Sequence, residues 1–176
     1  MSSPAILLAA GASGQLPSMQ PYLRGLSDRG YDARYVALPR GTAERALPAY
    51  REVVAAAPAA VIGGQSFGGR VASMLASEQR VAGLVLLCYP LHPPGRSERW
   101  DERTAHWERI ECPVLLLSGD RDPFAKVDLL RSAVGRLPHV ELHLYPGIGH
   151  GLHAVSEDAV ERISSFVQDL ALHSGQ

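Results

Sequence analysis

Cysteine is scarce in this chain: two residues, Cys88 and Cys112, in 176. Two thiols make no disulfide framework. Cys88 ends the apolar run "LVLLCYP" and Cys112 begins "CPVLLLSGD". If these runs are parallel neighbours, the thiols lie at opposite ends of a sheet. That is beyond the roughly 7 Å between Cα atoms that a bridge can span, so both read as reduced structural residues. Excess charge is also missing. Seventeen Lys and Arg stand against 18 Asp and Glu, for a net charge of -1. No basic face advertises nucleic acid or an anionic membrane. No apolar run approaches the ~20 residues that cross a bilayer. The start, "MSSPAILLAAGASG", lacks the basic n-region of a secretory signal. A cytoplasmic location is therefore the expectation. Nucleotide-binding motifs are absent as well. "GASGQ" falls short of G-x-G-x-x-G, "ALPRG" offers no ribose carboxylate, and there is no G-K-[ST]. "HGLH" (His150 to His153) has a spacing seen in metal ligands, but no second ligand cluster accompanies it. Neither a metal nor any other cofactor is expected.

What is present alternates. Short apolar runs occur at Ala5–Ala10, Ala33–Pro39, Ala59–Gly64, Ala82–Tyr89, Pro113–Gly119 and Val140–Pro146. Most are continuous, as in strands buried on both faces of a parallel sheet. The last alternates more, which suits an edge strand. Helical spacing fills the gaps at Ser18–Arg29, Thr42–Ala57, Phe67–Gln79, Lys126–Leu137 and Ser156–His173. Pro48 leaves the start of the second helix open, and Ser156 is the expected N-cap of the last. The pattern predicts one domain over residues 1–176: a doubly wound α/β fold with a mostly parallel sheet of about six strands. One long connection breaks the rhythm, from Leu91 to Glu111, and it holds both tryptophans. Such connections are often functional loops.

"VIGGQSFGGR" carries the chemistry. Gly64, Ser66 and Gly68 fit G-x-S-x-G between an apolar strand and a helical stripe, the context in which the pattern has mechanical meaning. A serine there is a poor nucleophile without a base and an acid to orient it. Asp120 and Asp122 follow one later strand in "LLLSGDRDPF", and His150 follows the last in "LYPGIGHG". Loops at the carboxyl ends of parallel strands share one crevice, so these residues can meet Ser66. From the residues alone either aspartate can be the acid. Two backbone N–H groups should stabilise an oxyanion. Phe67 supplies one at the helix N-terminus, and Ala12 in "LAAGASG" is the candidate for the other.

Together, "GQSFGGR", "YPLHPPGR", "GDRDPF" and "GHGL" resemble the α/β-hydrolase superfamily across nearly the whole chain. The closer likeness is to small, cap-less dienelactone-hydrolase-like proteins. Within them it resembles the group related to the hydrolase-like domain of a nonspecific-lethal chromatin-complex subunit and of a testis-expressed protein. The resemblance implies a triad of Ser66, Asp122 and His150, and favours Asp122 over Asp120. There are two departures. Ala10-Gly11 stands where many relatives have His-Gly. The chain also opens at what resembles the family's third strand, so a sheet order of 4-3-5-6-7-8 in the family scheme is expected.

The leading expectation is a serine hydrolase that acts on a small carboxylic ester or thioester through an acyl-serine. The alternative is a non-catalytic binding or scaffold protein on the same fold. Gly11, His92, Trp100 and Trp107 are candidate substrate contacts, although both tryptophans could instead pack the long loop onto the core. The expected partner is the small-molecule substrate, with no nucleic acid and no membrane. A homodimer is left open.

Overall fold

The apolar runs become strands whose two faces are both covered. The structure, a computed structural model, describes residues 4–173. Its strands are β1 (Ile6–Ala9), β2 (Ala33–Val36), β3 (Val61–Gln65), β4 (Gly83–Leu87), β5 (Val114–Gly119) and β6 (Val140–Tyr145). They form one sheet in the order β2-β1-β3-β4-β5-β6. Every pairing is parallel. Every residue of β1, β4 and β5 is buried. Leu84, Leu86 and Leu116 face one core, while Val85, Leu87 and Leu115 face the other. This double burial explains why the runs are continuous rather than alternating. The strand β6, at the edge, is only partly buried over most of its length.

The helices are α1 (Leu16–Asp28), α2 (Ala43–Ala55), α3 (Phe67–Ala76), α4 (Trp100–Thr104), α5 (Val127–Val134) and α6 (Ser156–His173). Met19 and Leu26 of α1 share one core with Ile163 and Val167 of α6. Tyr50 of α2, Val71 of α3 and Leu130 of α5 share the core on the opposite face. The sheet is thus wound on both sides, as the alternation predicts.

The structure settles two local points and corrects a third. Residues 91–111 are not a structureless connection. They contain α4 between two single 3₁₀ turns, Ser97–Arg99 and Trp107–Arg109. Pro48 does not open α2. Thr42 caps it by accepting from the Arg45 N–H at 3.3 Å, and Pro48 lies inside the helix. Ser156 is the first residue of α6 rather than its cap.

Candidate active site

The turn from β3 into α3 is sharp because the end of β1 crowds it. A Cβ on Gly64 would lie 2.3 Å from the Ala9 carbonyl oxygen, and one on Gly68 would lie 2.5 Å from the same atom. No side chain fits at either place. Between them Ser66 adopts φ 49° and ψ -112°, a conformation that costs a non-glycine residue roughly 1–3 kcal/mol. Its N–H is tied to the Leu87 carbonyl at 2.8 Å, so the strain is held by the neighbouring strand. The hydroxyl is thereby presented at the head of α3, where the N–H groups of the first helical turn have no partner within the helix.

The turns after β5 and β6 are joined to each other. Asp120 N–H donates to Tyr145 O at 3.1 Å and Arg121 N–H to Ile148 O at 2.9 Å. Asp120 Oδ1 accepts from Gly147 N–H at 2.7 Å. This pairing brings His150 over Asp122. His150 Nδ1 is 2.8 Å from Asp122 Oδ2, and its Nε2 is 2.9 Å from Ser66 Oγ. The Asp122 side chain is wholly buried. Its other oxygen, Oδ1, accepts from Phe124 N–H at 2.8 Å. With Asp122 ionised, Nδ1 carries the imidazole proton and Nε2 is free to accept from the Ser66 hydroxyl. The Phe124 ring packs on the imidazole, with centroids 4.3 Å apart. Of the two aspartates, Asp122 therefore faces the histidine, and Asp120 braces the turn that carries it.

Gly11 and Ala12 lie beside the serine. A Cβ on Gly11 would stand 3.6 Å from Ser66 Cβ, and both residues line a groove that Phe67 also lines. Burial overturns two of the three other candidate contacts, Trp107 and His92. Trp107 is fully buried in the core and meets Tyr89 edge-on at 4.9 Å, so it cannot touch a substrate. Trp100 packs against the same core, with the Arg136 guanidinium 4.7 Å above its ring. His92 is buried as well. Its N–H donates to Phe124 O at 3.0 Å, and its Nε2 accepts from Lys126 N–H at 3.4 Å. That leaves the proton on Nδ1, facing Pro93 O at 3.0 Å. His92 thus holds the turn containing Asp122 instead of forming a wall.

Several residues near the site, or behind it, carried no signal in the sequence. Cys88 repeats the positive φ of Ser66 one strand over, at 50°, with its N–H on Leu117 O at 2.8 Å. Burial, and then the charge of Asp122, push its thiol up to about 12. It is an inert group in the floor of the site. His106 meets Ser73 of α3, Nε2 to Oγ at 2.8 Å. Burial, followed by Arg109 and Arg70, holds this imidazole down at about 4. Both cysteines are free thiols. Among the described residues, no group of three or more His, Cys, Asp or Glu is placed to hold a metal ion, and no helix is long and apolar enough to cross a membrane.

The sequence pattern of the Alpha/beta hydrolase domain matches residues 5–171. The chain belongs to the alpha/beta hydrolase family. Solved structures with the same fold agree over most of their length. Est1E from Butyrivibrio proteoclasticus, with ferulic acid bound, is 15% identical with a TM-score of 0.81, over 97% of this chain and 90% of that one. The monoacylglycerol lipase of Paleococcus ferrophilus is 15% identical with a TM-score of 0.79, over 97% of each chain. A predicted CIB-like hydrolase from Thermoplasma acidophilum is 19% identical with a TM-score of 0.77, over 94% of this chain and 86% of that one. At these identities the likeness is one of fold. No curated protein matches the chain.

Proposed function

We propose that this member of the alpha/beta hydrolase family is a serine hydrolase. It cleaves a small carboxylic ester or thioester and works as a single domain over residues 1–176. The observation that carries the reading is the unbroken run of hydrogen bonds from Ser66 through His150 to the buried Asp122. As Ser66 Oγ bonds to the carbonyl carbon, its proton passes to His150 Nε2. The carbonyl oxygen becomes an oxyanion, held by the N–H groups of Phe67 and Ala12. When the tetrahedral species collapses, the bond to the leaving oxygen or sulfur breaks and His150 gives that atom its proton. Water then attacks the acyl-serine, losing a proton to His150. The acid departs, and Ser66 recovers its proton. Asp122 stays ionised throughout and fixes the imidazole. The likeness to small dienelactone-hydrolase-like proteins supports a site without a cap, and that favours short acyl groups.

The test is labelling by a fluorophosphonate, together with turnover of p-nitrophenyl acetate. Wild-type protein should do both, and Ser66→Ala should do neither while it keeps its fold by circular dichroism. Equal labelling of the two would refute the nucleophile. A folded wild type that neither labels nor turns over would point to the non-catalytic alternative.

A further inference from the structure

The groove beside Ser66 has a volume of about 210 Å³. That is below the roughly 300–1,000 Å³ of sites for drug-sized ligands, so it suits a short group. Gly11, Ala12 and Phe67 line it near the nucleophile, and Tyr35, Leu38 and Arg40 line it beyond. These residues belong to the α3 head and to the segments around the ends of β1 and β2, on one flank of β3. His150 comes from the other flank, after β6. A leaving group must lie within reach of His150 Nε2 to take its proton. What lies in the groove is therefore the acyl part of the substrate.

The charge of the groove is one-sided. Arg40 is the one charged residue among the eleven that line it. Arg40 also forms no ion pair among the described residues, so its guanidinium is not already engaged by a protein carboxylate. A guanidinium presents a planar fork that matches a carboxylate in two hydrogen bonds, and here no protein acid competes for it. Gly11, next to Ser66, and Leu38 also line the groove and suit a short methylene stretch.

Resting on the serine hydrolase reading, we propose that the acyl group of the substrate ends in a carboxylate held by Arg40. The substrates are then half-esters or half-thioesters of short dicarboxylic acids. Arg40 sets specificity and takes no part in bond making.

The experiment compares monoethyl succinate with its uncharged isostere, ethyl succinamate. Acid release by the full chain is followed in a pH-stat. Wild type should favour the charged ester in kcat/KM by about tenfold, chiefly through KM. Arg40→Gln should bring the ratio close to one, Arg40→Lys should retain part of it, and Arg40→Glu should reverse it. Added salt should shrink the wild-type ratio and leave that of Arg40→Gln unmoved, because an exposed ion pair is screened. Turnover of both esters with the same ratio in wild type and Arg40→Gln overturns this inference alone. Fluorophosphonate labelling without turnover of either ester does so too. If the wild type neither labels nor turns over, the hydrolase reading falls and takes the inference with it.

Discussion

The Phe124 ring lies on the His150 imidazole at 4.3 Å between centroids, tilted by 42°. The same residue's N–H binds Asp122 Oδ1, so one residue steadies both the histidine and its aspartate. An aromatic pair of this kind contributes about 0.5–1.5 kcal/mol beyond the area it buries. Phe124→Leu keeps the backbone bond and removes the ring contact. It should lower kcat for p-nitrophenyl acetate by roughly three- to tenfold. An unchanged kcat would show that the ring has no part in holding the base.

The two aspartates should separate cleanly. Asp122→Asn removes the carboxylate that fixes the imidazole tautomer and should cost kcat about 10⁴-fold, as in the serine protease triad. Asp120→Asn alters a brace between two turns and should cost far less. Steady-state kinetics of the two variants on one ester decide between the roles, and a reversed order would exchange them.

Tyr50 links helix α2 to the sheet. Its hydroxyl lies 2.7 Å from Leu7 O and from Gly63 O, and accepts from Gly63 N–H at 3.0 Å. These groups are buried where the elbow strand meets β1. Tyr50→Phe should cost about 1–3 kcal/mol, because buried polar groups lose their partner. Urea unfolding should show a lower midpoint with an unchanged m-value.

His106 makes stability depend on pH. Its folded value of about 4 lies below the ordinary 6.5, because burial, Arg109 and Arg70 all disfavour the cation. As pH falls from 6.5 towards 4, the unfolded chain takes up a proton that the folded chain does not. Stability is therefore lost as pH falls, by up to about 3 kcal/mol at pH 4. His106→Gln retains a polar partner for Ser73 and has no such titration. The stability difference between pH 6.5 and 4, measured by urea unfolding, should be smaller in the variant by that amount.

Local chemistry was legible in the sequence, and tertiary choices were not. The elbow could be read because the Ala9 carbonyl forces glycine at both ends of a short motif, two residues either side of Ser66. The strands could be read because buried parallel strands leave continuous apolar runs, whereas their order rested on the family likeness. His150 and Asp122 follow from the rule that strand ends share a crevice, although choosing Asp122 over Asp120 needed the family likeness. The fate of residues 91–111 had no such rule behind it. Trp107 and His92 are a large ring and a polar ring on a long connection, and nothing local says whether they face the crevice or the core. The contact between Ser73 and His106, 33 positions apart, needs the whole β4–β5 connection in place. The groove at Arg40 likewise exists only once two separate loops are brought side by side.

His150 hangs from the turn after β6, and β6 has a neighbour on one side only. Ser66, 84 positions earlier, follows a strand enclosed on both sides. Outer strands open more readily than inner ones, through local fluctuations that leave the body of a protein standing. The link between serine and histidine therefore crosses from an inner strand of the sheet to an edge strand. On warming, fraying of that edge should part the two side chains before the core gives way.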